Sequence, residues 1–179
     1  MLKDKPEENI IQKQLLLKFL FEIFTTKNVI NDKGLLEIFN KKLLRDMLDV
    51  TEGLIRGAIN SKGNYSHTSL KLKTSYISEK AAELKKTLKE YELLKTTHRE
   101  HAIPLNVLLT ELLPKQKFSN ISELEIFFKK YLTSVLITLE ERDQLDSRGS
   151  GLKKTMPEDW DGEDLFARFK AFGMTIIQV

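Results

Sequence analysis

The run Leu15-Leu-Leu-Lys-Phe-Leu-Phe-Glu-Ile-Phe24 is apolar everywhere except at Lys18 and Glu22. Wound as a helix it presents hydrocarbon on nearly every side, so it must lie in a core or be buried against a partner. The partner would be a second copy or another protein docked through the Leu15–Phe24 helix. The run is too short to cross a bilayer, and no signal-peptide pattern is visible at the start of the chain.

Cap signals place further helices around this one. Asp4 with Glu7 reads as a capping box, and Pro6 falls in the first turn. Asn31 to Gly34 reads as a turn, followed by a helix to about Leu48 carrying Leu35, Leu36, Phe39, Leu43, Leu44 and Met47. Thr51 reads as the cap of a short helix to Asn60, ended by Ser61 to Asn64. Tyr65 to Tyr76 is polar and reads as a loop or marginal hairpin. Ser78 caps a helix to about Lys95, Pro104 opens one that Pro114 stops, and Asn120 with Glu123 boxes another to about Tyr131. Ser134 to Leu139 is the best strand candidate. Asp161 caps a last helix over 162–172, and Met174 to Val179 reads as a second short strand. The expected fold is mainly α: a multi-helix single domain over 1–179 with a minor two- or three-strand β element near the C-terminal half. Its helical part covers about 1–95, and a site-bearing part covers about 96–179.

Composition narrows the chemistry. With no cysteine, disulfides and thiolate metal sites are excluded, and a cytoplasmic location with no membrane association is expected. The formal net charge of +3 is modest for a nucleic-acid domain, so any basic footprint must be local. No glycine-rich phosphate loop, no Gly-x-Ser-x-Gly elbow and no HExxH occurs.

Two stretches suggest function. Leu43 to Asn60 resembles a bacterial helix-turn-helix, with Val50 plugging the turn and the helix after Thr51 entering a major groove. That resemblance implies Arg56 and Asn60 as base readers, with Lys62 and Lys71 on phosphates. The basic loop carrying Arg148, Lys153 and Lys154 would add phosphate contacts. The alternative for the same corner is two packed amphipathic helices.

The second stretch is Thr97-His-Arg-Glu-His-Ala-Ile-Pro104, which holds two of the chain's three histidines. Glu100-His101-x-x-Pro104, followed by Val135 to Asp143 and Met156 to Trp160, resembles HNH-type (ββα-metal) endonuclease-like proteins of bacteria and phages. The resemblance implies that Glu100 binds a divalent metal, magnesium or manganese, and that His101 is the general base activating water against a phosphodiester. No histidine follows His101, so Asp143, Glu140 or His98 would complete the ligand set. It further implies DNA or RNA as partner, in a defence or counter-defence setting. A non-catalytic helical adaptor or inhibitor, and a helix-turn-helix regulator, are the alternatives. Without a catalytic role, Glu100 and His101 would serve as entry residues for the helix that Pro104 opens.

Overall fold

A computed structural model describes residues 6–25, 41–58, 60, 65–147 and 151–179. Among the described residues it is mainly helical, with a four-stranded sheet of β1 (Tyr76–Ser78), β2 (Thr97–His101), β3 (Ser134–Thr138) and β4 (Ile176–Gln178) in the order β2-β3-β1-β4. The cap expected at Asp4, the turn at 31–34 and the turn at 61–64 lie outside the described residues, as do Lys62 and Arg148.

Helix α1 (Pro6–Thr25) and helix α2 (Lys41–Ile55) form one side of a helical core. Leu17, Leu20 and Phe24 of α1 meet Leu44 and Leu48 of α2. Leu105, Leu108 and Leu113 join them from a helical stretch that begins as α6 (Leu105–Val107). Leu124, Phe127 and Phe128 come from α7 (Ile121–Tyr131). Leu16 and Phe21 pack partly against the same cluster, while Ile11, Leu15 and Phe19 face outward on α1. The apolar run is therefore half used by the core. Asn120 caps α7 as its Oδ1 accepts the Glu123 N–H, at 3.0 Å.

The expected corner at Thr51 does not form. α2 runs unbroken through Asp49, Val50 and Thr51, and the Thr51 hydroxyl donates back to the Met47 carbonyl at 2.8 Å. The chain has no glycine where a helix-turn-helix bends, so nothing local stops the helix there. It stops instead at Gly57, whose φ of 65° is the left-handed conformation that glycine supplies freely at a helix end. Residues read as a loop after Tyr65 form α3 (His67–Leu72), capped by Ser66. The long helix expected from Ser78 divides into α4 (Glu79–Thr87) and α5 (Glu90–Thr96) at an extended Leu88. The Glu92 carboxylate accepts the Lys89 N–H at 3.1 Å and starts the second helix. The last helix shrinks to α9 (Ala167–Lys170), because Asp161 accepts the N–H groups of Glu163 and Asp164 in a turn instead.

Strand β3 (Ser134–Thr138) is buried at all five positions and pairs parallel to β1 (Tyr76–Ser78) and antiparallel to β2 (Thr97–His101). Burial on both faces is why it reads as a continuous apolar run. Strand β4 (Ile176–Gln178) pairs antiparallel to β1. Val135 and Ile137 pack on Phe169 and Met174 on one face, while Leu136 packs on Ile77, Ala81 and Leu93 on the other. Each parallel strand runs directly into a helix: β1 into α4, and β3 into α8 (Leu139–Asp146). The buried Glu141 carboxylate ties these two helix starts, accepting the Ser78 hydroxyl at 2.6 Å and the Thr138 N–H at 2.8 Å. Among the described residues no helix is long and apolar enough to cross a membrane.

Candidate metal centre and its cleft

Strand β2 is an edge strand whose two faces meet different neighbours. Side chains alternate along a strand, so Arg99 and His101 share one face and His98 and Glu100 share the other. The register agrees: Arg99 lies opposite Leu136 and His101 opposite Ser134, while Glu100 lies opposite Val135. The adjacent pair Glu100 and His101 thus points to opposite sides of the sheet. The expected partnership of Glu100 as metal ligand with His101 as base is not assembled, because an adjacent pair can face one ion from a turn or helix start but not from a regular strand.

On the face of Arg99 and His101 stands α2. Asp49 and Glu52 are three residues apart, which puts both on one side of the helix. His101 Nε2 is 3.3 Å from Asp49 Oδ1 and 3.5 Å from Glu52 Oε2. One ligand atom from each of Asp49, Glu52 and His101 lies within 4.8 Å of the others. Two carboxylates and an imidazole are the donor types that hold a divalent cation.

The same oxygens carry a guanidinium. Arg99 Nη1 donates to Glu52 Oε2 at 2.7 Å and to the Ser134 hydroxyl at 2.7 Å, and Nη2 donates to Asp49 Oδ1. The Ser134 hydroxyl donates to Glu52 Oε2 at 2.8 Å. On the far side of Glu52, Arg56 Nε donates to Oε1 at 3.2 Å, and its fork continues to Ser75 and Thr133. Glu52, with a side chain 1% exposed, is held by both arginines. Burial pushes the Asp49 carboxyl up in pKa, but the hydrogen bond to His101 and the Arg99 charge more than offset it and hold the group well below the usual range. Burial works against the Arg99 charge too, yet Glu52 and Asp49 raise its pKa.

The opposite face holds a second cluster. Arg168 of α9 is wholly buried, donating to the carbonyls of Ala102 at 3.2 Å and Leu152 at 3.1 Å, and to the His101 carbonyl and Glu100 Oε1. His98 Nε2 stands 3.2 Å from Glu100 Oε2. Burial opposes ionisation of Glu100, but His98 and Arg168 lower its pKa from 4.5 to about 2.

A cleft of about 440 Å³ opens beside both clusters. Asp49, His98, Glu100 and His101 line it together with Arg45, Lys153 and Lys154. The wall from Pro104 and Leu105 to Leu109 runs into a π-helical turn, Leu108–Leu112, a distortion common at functional sites.

The structure therefore gathers His98, Glu100, His101, Lys153 and Lys154 from the sequence reading around one cleft. It does not gather the rest. Asp143 is exposed on α8, paired with Arg142 and beside a shallow depression with Glu140. Arg56 is turned inward onto Glu52, which removes it as a base reader, and Asn60 is exposed beyond the end of α2 rather than on a recognition helix. Neither Asp49 nor Glu52 belongs to the ligand set that the sequence suggests. The available signal was Glu52 itself, a carboxylate four residues after Leu48 on the apolar stripe of α2. No family model, no curated protein and no solved structure matches this chain.

Proposed function

We propose that this protein is a metal-dependent enzyme that cleaves nucleic-acid phosphodiesters in the cleft beside β2. The observation that carries the reading is the convergence of Asp49, the buried Glu52 and His101 at the floor of a cleft that Asp49 and His101 line together with Arg45, Lys153 and Lys154. Asp49 and Glu52 supply the hard oxygen ligands that magnesium or manganese takes. Such a cation neutralises charge developing on a phosphate and lowers the pKa of a bound water. His101 would be the base: its Nε2 lies at the carboxylate pair, and with Asp49 taken up by the cation it would be released to accept the proton of a water held there. Arg99 shares the carboxylate oxygens, so it must give up Asp49 for a cation to enter. It keeps Ser134 as an anchor and turns its charge toward the incoming phosphate. Lys153 and Lys154 hold the flanking phosphates, replacing the helix-turn-helix surface first expected.

The test is incubation of purified protein with DNA and RNA in magnesium or manganese. Cutting is expected, lost in both Asp49→Asn and His101→Ala while the circular dichroism melt stays close to that of the parent. No cutting with either metal, or undiminished cutting by Asp49→Asn, overturns the proposal.

A second reading, an interaction module, is favoured by Ile11, Leu15 and Phe19, exposed one turn apart on α1. It assigns this stripe to a second copy of the chain. Sedimentation of the parent as a dimer and of Leu15→Lys as a monomer supports it, and a monomeric parent removes it.

A further inference from the structure

The reacting groups are recessed. Glu52 is 1%, His101 15% and Asp49 18% exposed at the side chain. The cleft above them, of about 440 Å³, is within the range of small-ligand sites. A regular duplex is wider than its own major groove of about 12 Å. A duplex also resists local bending, with a persistence length of about 50 nm. A phosphodiester inside an intact duplex is therefore harder to bring down to the recessed Asp49 and His101 than one in a flexible single strand.

The lining suits a flexible strand. Leu44, Pro104, Leu105 and Leu109 give the cleft an aliphatic wall, and Asn106 and Thr110, one turn apart and exposed, add an amide and a hydroxyl beside it. Lys153 and Lys154 are exposed at the same cleft, and Lys154 makes no ion pair with a described residue. An apolar surface for a base beside cations for the backbone is how proteins hold single strands without reading sequence.

We propose, on the footing of the nucleic-acid reading above, that the cleft takes single-stranded nucleic acid or a frayed chain end and excludes duplex. A base lies against the Leu105–Leu109 wall, the adjoining phosphodiester reaches Asp49 and His101, and the next phosphates meet Lys153 and Lys154. Binding is expected to tolerate base changes, because the wall offers hydrocarbon contact and few hydrogen-bonding groups.

The test is fluorescence anisotropy of labelled oligonucleotides of about 12 nucleotides, single-stranded and as blunt duplex of the same sequence, in one buffer without divalent metal. The single strand is expected to bind at least about tenfold more tightly, with affinity falling as salt rises. The exposed-site double variant Lys153→Glu/Lys154→Glu, checked as folded by circular dichroism, is expected to lose most of that affinity. Duplex bound as tightly as single strand, with both weakened by the double variant, overturns the single-strand inference and leaves the nucleic-acid reading standing. Binding to neither overturns both. Single-strand binding untouched by the double variant places the strand elsewhere and also overturns the inference.

Discussion

The two faces of β2 carry clusters of similar composition and opposite character. On the α9 face, Arg168 is wholly buried and its guanidinium is divided among three backbone carbonyls and Glu100. Backbone carbonyls cannot move away without breaking the strand end and the segment at Leu152, so this arginine has one arrangement. On the α2 face, Arg99 leans wholly on side chains: Asp49, Glu52 and Ser134. Three side-chain oxygens accept from this guanidinium, and His101 sits among them. Side-chain acceptors can re-pair, which is what the proposed exchange of the guanidinium for a cation requires. A buried ion network shared with backbone is a fastening. One shared among side chains at a cleft is a place where chemistry can occur.

Four experiments break or sharpen that contrast. The largest effect is expected for Arg168→Ala, which leaves Glu100 without its buried partner and three carbonyls without a donor. About 3–5 kcal/mol of stability should be lost in urea unfolding. A loss below about 1 kcal/mol would show that the α9 cluster fastens nothing.

Acid titration comes next. The folded-state pKa of Glu100 is depressed from 4.5 to about 2. Its ionised form therefore stabilises the fold fully above about pH 4.5, and that contribution disappears as pH falls through about 2. It amounts to about 3 kcal/mol at most. Glu100→Gln should give a shallower acid limb in unfolding free energy between those values. An unchanged limb would place the acid sensitivity elsewhere, with Asp49 the first alternative because its carboxyl is also held low.

The third experiment measures the other cluster. On the proposed function, Asp49→Asn should reduce metal-dependent cleavage by about 100-fold or more, equivalent to about 2.7 kcal/mol of barrier, while costing about 1 kcal/mol of stability because Arg99 keeps Glu52 and Ser134. A stability loss as large as that of Arg168→Ala, with cleavage unaffected, would make both clusters fastenings. The smallest effect belongs to Asp143→Ala. Asp143 is exposed and touches neither cluster, and its ion pair with Arg142 is a surface one. Stability should stay within about 0.5 kcal/mol, with cleavage unchanged. A marked loss of cleavage would restore Asp143 to the site.

Legibility followed the range of the interactions. Ser78 and Asn120 each accept an N–H three residues on, so their caps are written within one turn of sequence and could be read there. The helical majority, the buried strand at 134–138 and the short strand near the C-terminus were legible for the same reason, from apolar period and β-branched content. The continuity of α2 through Thr51 was not legible, since Thr51 suits a cap and equally a hydroxyl bonded back to Met47; only packing of the unbroken helix chose between them.

Strand β2 shows what the sequence by itself left open. Thr97-His-Arg-Glu-His101 has none of the apolar alternation of a strand, and it becomes one because β3 offers a free edge to pair with. That pairing fixed the alternation, which sent His101 to Asp49 and Glu52 and sent Glu100 to Arg168. Residue types alone determined that the chain would be mainly helical and would own a histidine-acid pair worth inspecting. The tertiary structure decided which acids the histidine meets. Helix caps depend on neighbours a few bonds away, whereas a site built from α2 and β2 exists only once segments some fifty residues apart are brought together against a common strand.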